Sequence, residues 1–142
     1  MRRPAISHVG LFAGDLVATY ELDDSLKIGV HQQANFQHFD KIVSRGSRQG
    51  TVVLGGNSMP MGVITDVSPQ GDTCGVDTAG YIWVVGDPTG VTYGSLVTCV
   101  PGGTLASCAD PLYATESEKR NGCWQADEIR GNKILIMIDC YL

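Results

Sequence analysis

The side chains in this sequence best suited to nucleophilic, acid–base or metal chemistry are three histidines and five cysteines. The histidines are His8, His31 and His38, and the cysteines are Cys74, Cys99, Cys108, Cys123 and Cys140. A hydrolytic site would set one histidine beside a serine or cysteine, with a third group to orient the ring. His31, His38 and Asp40 can be drawn together as metal ligands. Their spacing matches no common motif, because two histidines sharing a helix face stand four residues apart. No C-x-x-C pair is present, which removes the zinc-ribbon and dithiol-oxidoreductase readings. No metal or other cofactor is expected.

Asn121-Gly122-Cys123-Trp124 holds the Cys-Trp pair of the papain-like protease signature. The first cysteine of C-G-[SA]-C-[WY] is missing, and every histidine lies upstream of Cys123, whereas that chemistry takes its histidine from far downstream. Cys123 and Trp124 therefore read as strand residues, one of them facing a core. The sequence has no G-x-x-x-x-G-K-[ST] phosphate loop, no G-x-S-x-G elbow and no G-x-G-x-x-G turn. Acidic residues stand singly except at Asp23-Asp24 and Asp127-Glu128, and nothing selects one carboxylate pair for glycoside chemistry. A chain this poor in chemical motifs is expected to bind or build and not to catalyse.

Charge narrows the partners. The net charge is −5, and ten basic residues are scattered, with pairs at Arg2/Arg3, Arg45/Arg48 and Lys119/Arg120. A nucleic-acid binder concentrates positive charge on one face, so no nucleic-acid partner is expected. An acidic domain can dock on a positive protein surface. The longest apolar run, Ile134–Ile138, is far short of the ~20 residues that span a bilayer, so no membrane partner is expected. No apolar stretch follows Met1-Arg2-Arg3-Pro4, so no export signal is expected. With an odd cysteine count, free thiols and at most one disulfide follow.

The elements that must position these residues are short. In 142 residues, 18 glycines and six prolines fall between brief apolar runs. Strands are predicted at Leu16–Leu22, Leu26–His31, Gly50–Leu54, Met61–Val67, Thr73–Thr78, Tyr81–Val85, Ser95–Val100, Thr104–Cys108, Gly122–Glu128 and Lys133–Tyr141. Pro101-Gly102-Gly103 and Gly131-Asn132 are the hairpin turns. Strands at this spacing specify a single compact all-β barrel or sandwich with at most one or two short helices. From Gln32 to Arg45 there is no glycine or proline, and Phe36, Phe39 and Val43 fit one helix face. Either a short helix forms there, or an irregular connection lets Phe36 and Phe39 plug one end of the core. A turn or two of helix is also expected in Ala114–Arg120, capped by Thr115 with Glu118 three residues on.

From Val52 onward the order of elements resembles the small cement (decoration) proteins of tailed phages. Val52-Val53-Leu54-Gly55-Gly56 leads to Gly62-Val63-Ile64. Gly71-Asp72-Thr73-Cys74-Gly75-Val76 precedes Thr78-Ala79-Gly80-Tyr81-Ile82-Trp83-Val84. A turn then enters Gly94-Ser95-Leu96-Val97. Asn121-Gly122-Cys123-Trp124 and a glycine turn precede Ile134-Leu135-Ile136-Met137-Ile138. Each step is a glycine–strand pattern, and the order carries the resemblance. It implies a β-barrel or "β-tulip" protein, often a homotrimer, on the outer surface of a mature capsid. Such a protein is assembled in the host cytoplasm, bridges neighbouring major capsid protein subunits and stabilises the shell; the family brings no catalytic residues.

On that reading, residues 1–10 form an N-terminal arm and residues 11–142 the β-rich domain. Arg2, Arg3, Pro4, Ile6 and Val9 are the candidate capsid contacts, through ion pairs and small apolar pockets. Tyr81, Trp83, Ile136 and Ile138, on the two most apolar strands, are the candidate subunit contacts. Two other classes fit the same features: another virion β-domain, from a tail, baseplate or head fibre, and a small carbohydrate-binding β-domain.

Overall fold

The computed structural model describes residues 17–27, 37–68, 70–108 and 122–139. Among them are eleven strands: β1 (Val17–Leu22), β2 (Ile42–Arg45), β3 (Thr51–Leu54), β4 (Pro60–Val67), β5 (Thr73–Asp77), β6 (Ala79–Val85), β7 (Leu96–Val100), β8 (Thr104–Ser107), β9 (Cys123–Gln125), β10 (Glu128–Arg130) and β11 (Lys133–Asp139). The fold is all-β, as the turn spacing predicts, and the described residues contain no α-helix.

Five strands close a barrel in the order β1-β3-β2-β4-β5. Closure comes from β1, which pairs antiparallel with β5 and parallel with β3. The remaining strands form two three-stranded sheets, β10-β11-β6 and β8-β7-β9. Both predicted turns are hairpins, with Val100 opposite Thr104 and Arg130 opposite Lys133. Gly131 takes φ +58°, the left-handed conformation that a two-residue hairpin needs.

Two cores share one wall. Leu22, Val43, Val52, Ile64 and Val76 fill the barrel, while Ile42, Val63, Ile82, Val84, Ile134, Ile136 and Ile138 pack in the second core between the barrel and the sheets. Successive strand residues point to opposite faces, so Ile42 and Val43 enter different cores, as do Val63 and Ile64. All four side chains are fully buried, each burial being worth about 1.5–3 kcal/mol.

Two backbone staples join the halves. Asp40 donates its N–H to Ile64 O at 2.8 Å and accepts the Val85 N–H at 2.9 Å. Its buried carboxylate meets Lys133 Nζ of β11 at 2.5 Å. Its φ of +61° is a left-handed conformation that aspartate tolerates better than most residues. The second staple is Gly103, whose carbonyl accepts the Ile42 N–H at 2.8 Å. At φ +78°, a Cβ on Gly103 would stand 2.4 Å from Ile42 O.

Some predicted elements are replaced by others. The helix expected within Gln32–Arg45 is absent from its described part: Gln37–His38 is a short 3-10 turn and Ile42–Arg45 is a strand. Asp40 stops helical propagation, and the adjacent Ile42 and Val43 each find a core. Of the alternative reading, in which Phe36 and Phe39 plug one end of the core, Phe39 packs half-buried against the barrel core, and Phe36 lies outside the described residues. Where a strand was expected to begin, Leu26 ends a 3-10 turn (Asp24–Leu26), because the Asp23 side chain caps it at Ser25 N. The Gly122–Glu128 strand divides into β9 and β10 at the fully buried Ala126. There Ala126 N–H bonds to Ser95 O and Asp127 N–H to Leu135 O, carrying the chain from one sheet to the other. Residues 28–36, the Ala114–Arg120 segment and residues beyond Asp139 lie outside the described residues.

Candidate binding surface

Because Ile82, Val84, Ile134, Ile136 and Ile138 face the second core, the alternate residues of β6 and β11 face outward. Tyr81 lies opposite Met137, and Trp83 opposite Leu135. The outward face therefore carries two cross-strand apolar pairs side by side. Met137 is 51% exposed, Tyr81 and Leu135 are half-buried, and Trp83 is buried beneath Arg130, whose guanidinium lies 5.3 Å from the ring centroid. Arg130 is also ion-paired with Glu128. Aromatic residues, methionine and arginine are the types enriched where proteins meet. A cation stacked on tryptophan keeps that ring in place while leaving a polar rim.

A concave feature lies on the barrel. A cleft of about 650 Å³ is lined by Tyr20, Arg45, Arg48, Gln49, Thr51 and Met61, among others. Arg48 is held by Glu21 at 3.3 Å and Asp24 at 3.5 Å, and Lys27 by the same two carboxylates at 2.8 and 3.1 Å. The Lys27 and Arg48 hydrogen bonds hold Glu21 below the ordinary carboxylate range, and Glu21 in turn raises Lys27. Asp23 is lowered more strongly, first by the Ser47 hydroxyl at 2.7 Å and then by the Ser25 N–H. Among the described residues no carboxylate pairs with Arg45. Arg45, Tyr20 and Gln49 line a common concavity.

The residues singled out in sequence fare differently. Tyr81 and Trp83 lie on the outward parity of β6, with Tyr81 half-buried and Trp83 buried beneath Arg130. Ile136 and Ile138, named with them, are 0% and 1% exposed and belong to the core; on β11 it is Leu135 and Met137 that lie on the opposite face. Arg2, Arg3, Pro4, Ile6 and Val9, with the arm they define, lie outside the described residues, as do His8 and His31. His38 is buried, with Nε2 2.9 Å from Leu26 O, and Asp40 is engaged by Lys133, so both are tied into the fold. Among the described residues, no group of three or more His, Cys, Asp or Glu could hold a metal ion. No described helix is long and apolar enough to cross a membrane.

Fold and surface together define a compact all-β domain built on a closed barrel, with an apolar–aromatic face on its flanking sheets. No protein-family model matches the sequence, and no curated protein matches it. Among solved structures, the fold is similar to that of the head fibre gp8.5 N base in bacteriophage phi29, with a TM-score of 0.52. The likeness covers 87% of this chain and 93% of that one at 18% sequence identity, and at that identity it is a likeness of fold.

Proposed function

We propose that this chain is a structural protein of a tailed-phage virion that docks on the head. The observation that carries the reading is the fold similarity to a phage head-fibre base, which runs through nearly the full length of both chains. The order of glycine–strand steps from Val52 to Ile138 points to the same setting from sequence.

In its first form the proposal is a cement protein. Several copies, as a homotrimer, sit on the outer surface of the mature capsid, bridge neighbouring major capsid subunits and stabilise the shell. Linked copies raise effective concentration, so contacts that are weak singly hold together. The outward Tyr81, Trp83, Leu135 and Met137 would supply the contact between copies, and the 1–10 arm would lie on the capsid. The fold similarity favours a second form, in which the same domain is the base of a head fibre. The domain has no catalytic role on either reading.

Binding of the purified protein to mature capsids and to precursor shells tests the proposal. Binding to mature capsids alone is expected, and failure to bind any phage head would end it. Adding the protein to capsids that lack it then separates the two forms: a cement protein raises the temperature at which the shell ruptures, and a fibre base does not. Deleting residues 2–8 should reduce capsid affinity while circular dichroism stays unchanged; intact affinity would move the docking site to the barrel loops.

A further inference from the structure

Cys108 directly follows β8, and Cys123 opens β9; these two strands flank the same central strand, β7. The Cys108 N–H bonds to Leu96 O at 2.9 Å, and Cys123 lies opposite Thr98, so β7 holds both residues in register. Their Sγ atoms are 3.1 Å apart, about 1 Å more than the ~2.05 Å of a disulfide bond. Both residues are half-buried, so a small reagent can reach them. The two deeper thiols differ. Cys74 and Cys99 are 3% and 2% exposed. Burial pushes their thiols up to about 11 and about 12, which keeps the reactive thiolate form scarce.

We propose that Cys108 and Cys123 are a redox pair that closes to an intramolecular disulfide, with a small-molecule disulfide such as oxidised glutathione as the oxidant. One cysteine loses its proton, and its thiolate attacks a sulfur of oxidised glutathione. A mixed disulfide forms and one glutathione thiolate leaves. The second cysteine, deprotonated in turn, attacks the protein-side sulfur and releases the second glutathione. Two protein thiols are oxidised, one disulfide reagent is reduced to two thiols, and the two protons end on those thiols. The bond ties the end of β8 to the start of β9 and closes a loop between positions 15 apart in sequence, which restricts the unfolded chain. The proposal is independent of the virion reading, since it needs only the folded domain.

The test is incubation of the folded protein with increasing ratios of oxidised to reduced glutathione, followed by alkylation, digestion and mass spectrometry. A linked Cys108–Cys123 peptide is expected, with Cys74 and Cys99 alkylated only after unfolding. The oxidised form should melt on the order of 10 °C above the reduced form, a gap that Cys108→Ser and Cys123→Ser each abolish while far-UV circular dichroism keeps its β signature. The proposal is overturned if both thiols persist under a poise that oxidises a model dithiol, if either pairs with Cys140 instead, or if glutathione adducts accumulate without closure. Should a serine variant fail to fold, the linked peptide and the melting gap of the unaltered protein decide the matter.

Discussion

The barrel and the pair of sheets handle their strand edges differently. Each barrel strand is hydrogen-bonded on both sides, so the barrel leaves no edge to solvent. The sheets end on β8, β9 and β10, which are only four, three and three residues long, and on the seven-residue β6. Short edges limit pairing with other chains, and β10 adds the charged pair Glu128 and Arg130. The surfaces differ in the same way. The barrel carries the network of Glu21, Asp23, Asp24, Lys27 and Arg48, whereas the outward face of β6 and β11 carries Tyr81, Trp83, Leu135 and Met137. The barrel is closed with a charged network on its surface, and the open sheet carries an apolar–aromatic outer face.

The first way to break this comparison is to empty each core in turn. Ile136→Ala in the second core and Leu22→Ala in the barrel should each cost about 2–5 kcal/mol in denaturant unfolding, because both side chains are fully buried. The shared wall of β2 and β4 makes a single transition the expected result for both. Two separate transitions would show that barrel and sheets fold apart.

The junction comes next. Asp40→Ala removes the carboxylate held by Lys133 and the preference for a left-handed φ, and about 1.5–3 kcal/mol should be lost. Asp40→Asn should cost less, because asparagine also adopts that backbone conformation. Chemical denaturation of both variants measures the difference.

On the outward face the expected effect on stability is small and the effect on association is large. Met137→Glu should change unfolding free energy by no more than about 0.5 kcal/mol, as surface replacements do. It should abolish any oligomer or particle contact made through this face, as read by analytical ultracentrifugation and capsid co-sedimentation. Unchanged association would move the contact elsewhere, with the Arg45 cleft next in line.

The smallest effect belongs to the charge network. Glu21 and Asp23 titrate below the ordinary carboxylate range in the folded protein, so their contribution is present above that range and fades as pH falls through their lowered values. A modest fall in melting temperature below about pH 4 is expected. Asp23→Asn should lessen its steepness, and a variant as acid-sensitive as the parent would remove Asp23 from the account.

Much of this architecture was legible in the sequence because it is local. Pro101-Gly102-Gly103 and Gly131-Asn132 make their turns through the conformations those residues allow, and the apolar run Ile134–Ile138 marks a strand. The Gln32–Arg45 stretch was not legible in this way. Its apolar spacing suits a helix, and only the existence of cores on both sides of β2 lets Ile42 and Val43 be buried together in a strand. Reading Ile136 and Ile138 as contacts failed for a related reason, since hydrophobicity marks a strand as valuable without saying which face meets its own core.

Composition and turn chemistry alone determined an acidic, all-β chain with short strands. Tertiary structure decided what depends on distant segments meeting: closure of the barrel through β1 and β5, the grip of Asp40 on β4, β6 and β11, and the approach of Cys108 to Cys123. Turn and pleat are set by neighbouring residues within a few positions, whereas closure and contact between remote strands are set by how two cores divide a common wall.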